Sequence, residues 1–334
     1  MSLGIAQAAG DGARAAWHGQ AMRSLVPLLV ALLFTAPAAG LQLLPAVQIL
    51  PAVHSPMAGS ALPVVPVNII DGVDGRDALS AQGPSLGLSA AEIGRIRAVS
   101  GYVGCLAPSP SIGSAALFID NRQILTAAHV FFEPSGRRRS KCFFKTQTAT
   151  PLVIDLLVDD RNARFGAAAP KPGSNNDWAV VRLAEPVKGV QPFPVLLDRP
   201  VRQGEALIVV TAHPADLGRD VDRDMPVVQG CSVRRKPISS AKTSFFRTDC
   251  DATGGSSGSM NLARVDGVLA FRGITITTGP WQDPALVGAP YNEKSGSVTT
   301  ALGTDAAILA AGAELAAGSA VFPPGWKPSV KISE

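Results

Sequence analysis

The chain has 334 residues, of which 46% are hydrophobic, 17% charged and only 5% aromatic. This is an ordinary globular balance, and the length suits about two domains or one large β domain. The formal net charge is +4 with acids and bases interspersed, so charge gives no reason to expect a nucleic-acid partner. We interpret the basic run at residues 137–141 as a solvated loop, with a polyanion contact or a processing site as the alternative.

Residues 1–40 are predicted to be a leader that contains a signal peptide. Arg23 supplies the positive charge, residues 25–34 form an apolar run too short to span a bilayer comfortably, and residues 36–38 read Ala-Pro-Ala. Cleavage is expected after Ala38 or Ala39, and Met22 is a candidate for the true start. The alternative is an uncleaved anchor. With the signal removed, we expect a secreted or periplasmic protein that has no membrane segment.

Four cysteines follow the leader, at positions 105, 142, 231 and 250. An even number in an exported chain predicts two disulfides, with three connectivities open. The simplest choice pairs each half of the chain within itself, Cys105 with Cys142 and Cys231 with Cys250. Zinc binding is disfavoured because none of the close cysteine spacings of zinc sites is present.

Proline density and short apolar runs divide the rest of the chain. A Leu-Pro-Ala-Val theme recurs over residues 41–67 and favours an extended segment. We interpret residues 41–94 as a Pro-rich propeptide or linker, with an irregular arm packed on the domain as the alternative. From about residue 95, apolar runs bounded by turn residues predict strands of an all-β fold. An Ala-rich stretch at residues 304–317, flanked by glycines, predicts a C-terminal helix. Residues 319–334 form a C-terminal tail.

Ser257 is the candidate nucleophile. It lies in the sequence Gly-Gly-Ser-Ser-Gly-Ser at residues 254–259. Glycines around a serine permit a sharp turn that exposes the hydroxyl and directs backbone N–H groups to one point, as acyl transfer requires. A Gly/Ser run alone is weak support, because flexible linkers have the same composition.

A serine hydroxyl needs a base, and the chain has four histidines. His18 and His54 fall in the leader and the Pro-rich segment. His129 follows a strand-like run and is surrounded by small residues. His213 precedes a proline and is interpreted as structural.

The base in turn needs a carboxylate that orients it and stabilises its cation. Asp177 begins the strand-like sequence Asp-Trp-Ala-Val-Val-Arg-Leu, where burial is expected. On chemistry alone, four other carboxylates compete with it: Asp155, Asp159, Asp160 and Asp198.

Three motifs in this order, TAAHV, NDWAVVRL and GGSSGS, resemble the active-site motifs of trypsin-like peptidases. The bacterial branch that includes the glutamyl endopeptidases is the nearest in pattern. The resemblance covers roughly residues 95–300, and it selects Asp177 from the competing carboxylates. It implies a catalytic triad of His129, Asp177 and Ser257, with an oxyanion hole made by the N–H groups of Gly255 and Ser257.

The fold that the resemblance implies is two six-stranded antiparallel β-barrels with the triad in the cleft between them. We assign the first barrel to residues 95–188, and the second barrel with the C-terminal helix to residues 189–318. Ser256 stands where trypsin has the aspartate that pairs with a new N-terminus. Activation by that ion pair is therefore not expected.

Specificity is harder to predict. Asp251 precedes Ser257 by six residues, the position of the carboxylate that selects Lys and Arg in trypsin. The alternative is that Asp251 only holds its own loop in place. Thr275 and Thr278 are the candidate pocket walls, and Thr275 stands where the glutamyl branch tends to have a histidine.

The sequence therefore predicts an exported serine endopeptidase that works through an acyl-enzyme on a peptide or protein substrate. No metal or other cofactor is expected, because no phosphate-loop, dinucleotide-binding or zinc signature is present. The protein is expected to be a monomer. A catalytically silent binding module of the same fold is the main alternative. An α/β-hydrolase esterase is set aside because its triad runs in the order Ser, acid, His.

Overall fold

A computed structural model describes residues 67–212, 226–235, 237–239, 244–279, 283–322 and 324–327. The predicted signal peptide, the Pro-rich segment up to residue 66 and His213 lie outside the described residues. None of the helices in the described part of the chain has the length and hydrophobicity needed to cross a bilayer.

Residues 67–99 form short elements before the first barrel. In chain order these are β1 (Val67–Asn68), β2 (Asp77–Ala78), α1 (Leu79–Gln82) and α2 (Ala90–Val99). Helix α2 begins with a capping box, in which the Ser89 hydroxyl accepts from the Glu92 N–H and the Glu92 carboxylate accepts from the Ser89 N–H. The described part of the predicted propeptide or linker, residues 67–94, therefore contains regular secondary structure.

The first barrel is an antiparallel sheet that closes on itself. Its strands are β3 (Ser100–Ala107), β4 (Ser111–Leu117), β5 (Gln123–Thr126), β6 (Ser140–Thr146), β7 (Val153–Leu157), β8 (Ala163–Phe165) and β9 (Ala179–Leu183). The order is β5-β4-β3-β6-β7-β9-β8, and β5 also pairs with β9. Six strands thus form the ring, with β8 as an addition to β9. Closure leaves no unpaired edge within the six-stranded ring.

The second barrel is formed by an eight-stranded antiparallel sheet. Its strands are β10 (Ala206–Thr211), β11 (Val227–Ser232), β12 (Ile238–Ser239), β13 (Ser244–Thr248), β15 (Met260–Val265), β16 (Val268–Thr278), β17 (Thr299–Gly303) and β2, while β14 (Ala252–Thr253) pairs only with β1. The ladder is open between β11 and β13. One bridge between Val233 and Thr248 and the disulfide Cys231–Cys250 join the two strands there.

The other disulfide lies inside the first barrel. Cys105 on β3 and Cys142 on β6 are directly opposed across the ladder, and their sulfurs are bonded. Each barrel therefore contains one of the two disulfides, as pairing within each half requires. Disulfides at these positions favour an oxidising compartment outside the cytoplasm.

The N-terminal strap, defined here as residues 67–78, lies against the second barrel. Strand β1 pairs with β14, opposing Val67 with Thr253, and β2 pairs with β11. The strap also contacts a later loop, where the Gly288 N–H donates to the Ile69 carbonyl. Its Ile70 side chain is fully buried. The strap thus pairs directly with β14, the strand that precedes the candidate nucleophile in the sequence.

The C-terminal helix is present as α3 (Ala306–Ala317), and the Asp305 side chain caps it by accepting from the N–H groups of Ala307 and Ile308. It packs on the first barrel, where the Gln123 side-chain amide donates to the Gly312 carbonyl. The main apolar core is continuous between the barrels, and the Phe118 and Phe271 rings meet at 5.8 Å between centroids. This contact helps to fix the two barrels on either side of the cleft.

Candidate active site

Strand pairing in the first barrel brings His129 and Asp177 together. Strand β5 ends at Thr126 and β9 begins at Ala179, and these two residues are opposed in the antiparallel ladder. The chain leaving β5 and the chain entering β9 therefore lie at the same end of the barrel. His129 follows β5 in a single turn of 3-10 helix, Ala128–Phe131, and Asp177 lies two residues before β9.

Asp177 is fully buried and accepts three hydrogen bonds. One oxygen accepts from the His129 N–H at 2.9 Å, and the other is 2.7 Å from His129 Nδ1 and also accepts from the Gly173 N–H at 2.7 Å. Three partners compensate for the lost hydration of the carboxylate. The contact to Nδ1 selects the imidazole form with its proton on Nδ1, which leaves Nε2 free to accept.

Ser257 completes this chain of contacts. Its Oγ lies 2.8 Å from His129 Nε2. With the proton of His129 on Nδ1, the Ser257 hydroxyl is the donor in that contact. The imidazole keeps about a quarter of its surface exposed, so the hydroxyl and the base are reachable from the cleft.

The loop that carries Ser257 is fastened to both barrels. The Ser114 N–H, on β4, donates to the Ser257 carbonyl at 2.7 Å, and the Ser114 hydroxyl donates to the Gly255 carbonyl at 2.8 Å. On the other side, the Gly258 N–H donates to the Thr275 carbonyl at 2.7 Å. Because the loop is hydrogen-bonded to Ser114 of the first barrel and to Thr275 of the second, its conformation is restricted.

Two glycines in this loop adopt left-handed backbone conformations that disfavour other residues, Gly255 with φ of 89° and Gly258 with φ of 86°. Within the described part of the chain, the N–H groups of Gly255 and Ser257 have no hydrogen-bond acceptor. Both groups are therefore available to a ligand.

A cavity of about 390 Å³ opens beside Ser257 and His129. It is lined by Ile112, His129, Pro172, Thr253, Gly254, Gly255, Ser256, Ser257, Thr275, Ile276, Thr277 and Thr278. The two threonines expected as pocket walls, Thr275 and Thr278, belong to this lining. Ile112, His129 and Pro172 belong to the first barrel and the other lining residues to the second, so the cavity lies in the cleft between the barrels.

Asp251, the candidate residue for the base of a substrate pocket, is not among the residues that line this cavity. Its two oxygens accept from the N–H groups of Ile70 and Gly75 in the N-terminal strap, both at 2.8 Å. Its backbone exchanges hydrogen bonds with the Gln229 side chain. The carboxylate therefore joins the strap to the loop before Ser257, which extends the alternative interpretation of Asp251 as a structural residue.

Burial raises the pKa of the Asp251 carboxyl from 3.8 to about 6, and Asp74 adds to this effect. The N–H groups of Gly75 and Ile70 and the charge on Arg76 lower the same pKa, but they do not offset the burial. The folded protein thus holds this proton more tightly than the unfolded chain. The free energy of unfolding contributed by Asp251 is highest below pH 3.8 and falls as the pH rises to about 6.

Asp251→Asn is expected to remove this pH dependence. The difference between the two pKa values corresponds to about 3 kcal/mol. The free energy of unfolding of the variant minus that of the wild type should therefore rise by up to that amount between about pH 4 and about pH 7. Denaturant unfolding of both proteins across this range measures the gain. Asp266→Asn, at an exposed turn, is the matched control for the loss of one carboxylate. A free-energy difference between Asp251→Asn and wild type that stays constant with pH would contradict the assignment.

Several supporting groups have no distinguishing pattern in the sequence. Ser114 lies in an ordinary strand sequence, and Gly173 acts only through its backbone.

Three of the carboxylates that competed with Asp177 have other partners: Asp159, Asp160 and Asp198 contact Asn162, Arg138 and Arg199 respectively. In the basic run at residues 137–141, Arg137 contacts Glu133 and Arg138 contacts Asp160, while residues 140–141 already belong to β6.

Comparison with known proteins agrees with this architecture. Residues 113–270 match the family model of the trypsin-like peptidase domain. Among solved structures, a Glu endopeptidase aligns with a TM-score of 0.52 and 16% identity, over 74% of this chain and 100% of that chain. No curated protein sequence matches the chain.

Two further solved structures align less closely. The protease Anisep from Arthrobacter nicotinovorans has a TM-score of 0.44 and 13% identity, over 66% of this chain and 96% of its own. The Rv3671c protease from M. tuberculosis, in its active form, has a TM-score of 0.46 and 14% identity, over 79% of this chain and 95% of its own.

Residues 113–270 are thus a trypsin-like peptidase domain, and the fold is the trypsin-like double barrel. The class of protein that this domain and fold define is the serine endopeptidases, which are hydrolases.

Proposed function

We propose that this protein is an exported serine endopeptidase in which His129, Asp177 and Ser257 form the catalytic triad. The observation that carries the proposal is the continuous chain of contacts from the buried Asp177 carboxylate through both nitrogens of His129 to Ser257 Oγ. A nucleophile, a base and a group that orients the base are the three parts that acyl transfer by a serine requires.

In the first half of the reaction, Ser257 Oγ attacks the carbonyl carbon of the peptide bond while His129 Nε2 takes the hydroxyl proton. Asp177 stabilises the imidazolium that results. The tetrahedral intermediate collapses when His129 returns the proton to the leaving amine, which leaves an acyl group on Ser257. In the second half, His129 removes a proton from water as the water oxygen attacks the acyl carbon. The second tetrahedral intermediate breaks its bond to Ser257 Oγ, His129 returns the proton to Oγ, and the carboxylic acid product leaves.

The carbonyl oxygen becomes negatively charged in each tetrahedral intermediate. The N–H groups of Gly255 and Ser257 form the proposed oxyanion hole, and the left-handed conformation of Gly255 supports this role. Donors that are already in place need no reorganisation when charge develops, and one such donor is typically worth about 10² to 10³ in rate.

The two disulfides and the predicted signal peptide support export, to the periplasm or beyond the cell. The proposed chemistry uses only side chains, backbone N–H groups and water, so no cofactor is part of it. The proposed substrate is a peptide or protein chain, and the active species is proposed to be a monomer.

The proposal is tested by incubating the purified, disulfide-bonded protein with an unfolded protein and identifying new termini by mass spectrometry. We expect internal cleavages by the wild type and none by Ser257→Ala. Binding of the unfolded protein without cleavage would instead indicate a non-catalytic module of the same fold, and would contradict the proposal.

A further inference from the structure

The residues that line the cavity beside Ser257 bear on which substrate side chain can be bound there. If Ser257 attacks a peptide carbonyl, as proposed above, the side chain on the acyl side of that bond lies next to Ser257 and must enter the adjacent space. The wall of that space consists of residues 275–278 at the end of β16 and residues 253–256 before the nucleophile. These eight residues therefore determine which side chains are accepted.

The chemistry of this wall is neutral. Besides His129, the described residues that line the cavity are glycine, serine, threonine, isoleucine and proline. They present backbone groups, methyl groups and hydroxyls, and among them there is no carboxylate and no lysine or arginine. Thr275 is buried, and its hydroxyl accepts from the Asn261 side-chain amide at 3.3 Å. A charged side chain would find no opposite charge on the described wall.

Asp251 is the acidic residue nearest in sequence to residues 253–256 of the cavity wall, and its carboxylate makes hydrogen bonds to the N-terminal strap. Asp251 is 5% exposed, and both of its oxygens accept N–H groups of the N-terminal strap. Strand β14, at Ala252–Thr253, continues from Asp251 and is itself paired with β1 of the strap. Turning the Asp251 carboxylate toward the cavity would take this acceptor from the N–H groups of Ile70 and Gly75, of which the first is buried and the second partly buried, and this is unfavourable.

We propose that the cavity selects an uncharged side chain on the acyl side of the cleaved bond, aliphatic or hydroxylated as in Leu, Val or Thr, and that Asp251 takes no part in the selection. The proposal rests on the proposed peptidase function. Lys, Arg, Asp and Glu are disfavoured because their charge would lose its hydration without gaining a partner. The methyl groups and hydroxyls of Thr275 and Thr278 instead match an aliphatic chain or a single hydroxyl group.

The test uses peptides that differ only in the residue before the cleaved bond, with Leu, Thr, Arg or Glu at that position, and a mixed peptide library digested in parallel. Active enzyme is first counted by a fluorescent phosphonate. We expect kcat/KM for the Leu and Thr peptides to exceed that for the Arg and Glu peptides at least about tenfold. Bonds cleaved in the library should follow the same preference.

Two variants test the assignment to the cavity wall. Thr278→Asp places a carboxylate in the wall, and it should raise the ratio of Arg to Leu cleavage at least about tenfold. Asp251→Asn should leave that ratio within about threefold of the wild type, whatever its effect on stability. Ratios of kcat/KM per labelled site are independent of how much of each variant folds.

Labelled enzyme that cleaves mainly after Arg, Lys, Asp or Glu would overturn the proposed selection while leaving the peptidase function intact. A loss of Arg cleavage in Asp251→Asn would overturn the statement on Asp251. A wild type that cleaves no peptide of the library, labelled or not, would instead contradict the peptidase function itself, so the two proposals fail in different ways.

Discussion

Replacing Asp177 by asparagine is expected to lower kcat/KM about 10⁴-fold while the protein remains folded. In the wild type, the carboxylate accepts the Nδ1 proton of His129 at 2.7 Å. An amide in its place can turn its NH₂ group toward Nδ1, which favours the imidazole with its proton on Nε2. That form cannot accept a proton from Ser257 Oγ, 2.8 Å away.

Peptide hydrolysis by the purified variant measures the effect, and circular dichroism checks the fold. Asp160→Asn is the matched control, because Asp160 is an exposed carboxylate paired with Arg138 on the surface. It should keep the activity of the wild type. If Asp177→Asn keeps more than about a tenth of the activity, orientation of His129 by Asp177 is not needed for catalysis.

Gly258→Ala is expected to be the most damaging change outside the triad. The Gly258 backbone has φ of 86°, and a Cβ added there would lie 2.1 Å from the Ser114 carbonyl oxygen and 2.2 Å from Thr126 Oγ1. Neither neighbour is free to move, because Thr126 Oγ1 donates to the same carbonyl at 2.6 Å. The loop must therefore shift away from the first barrel. We expect a loss of about 3–5 kcal/mol in the free energy of unfolding.

Activity should fall at least about 100-fold, because a shift of about 1 Å at Ser257 misplaces the nucleophile. Gly267→Ala is the matched control: its φ of 81° is similar, but a Cβ there meets nothing within 4 Å. The control should lose about 1–2 kcal/mol and keep its activity. Equal losses of stability in both variants would show that backbone conformation, and not contact with Ser114, sets the cost at Gly258.

The fold class was predictable because its signals are local. Short apolar runs bounded by turn residues correspond to strands such as β5 and β9, and the Ala-rich stretch corresponds to α3. Each disulfide joins two residues of one barrel, as predicted: Cys105–Cys142 in the first and Cys231–Cys250 in the second. The candidate triad was predicted from three motifs by resemblance, and the structure brings those three side chains within hydrogen-bonding distance.

The N-terminal strap could not be predicted in the same way. Its two strands have two residues each, too few to show a period. Its partners are distant in sequence, since Ile70 and Asp251 are 181 residues apart. The Pro-rich composition just before it favoured the interpretation as a linker. The same long-range contacts explain why the role of Asp251 was unresolved from the sequence. Its spacing from Ser257 can be read from the sequence, but the N–H groups of Ile70 and Gly75 that its carboxylate accepts are 181 and 176 residues away.

The most direct test of the proposed triad is labelling of the purified protein with a fluorescent phosphonate, followed by mass spectrometry of the labelled peptide. The wild type should carry one label, on Ser257, and both Ser257→Ala and His129→Ala should carry none. A label on another residue, or the same labelling in His129→Ala as in the wild type, would contradict the assignment of Ser257 as a nucleophile activated by His129.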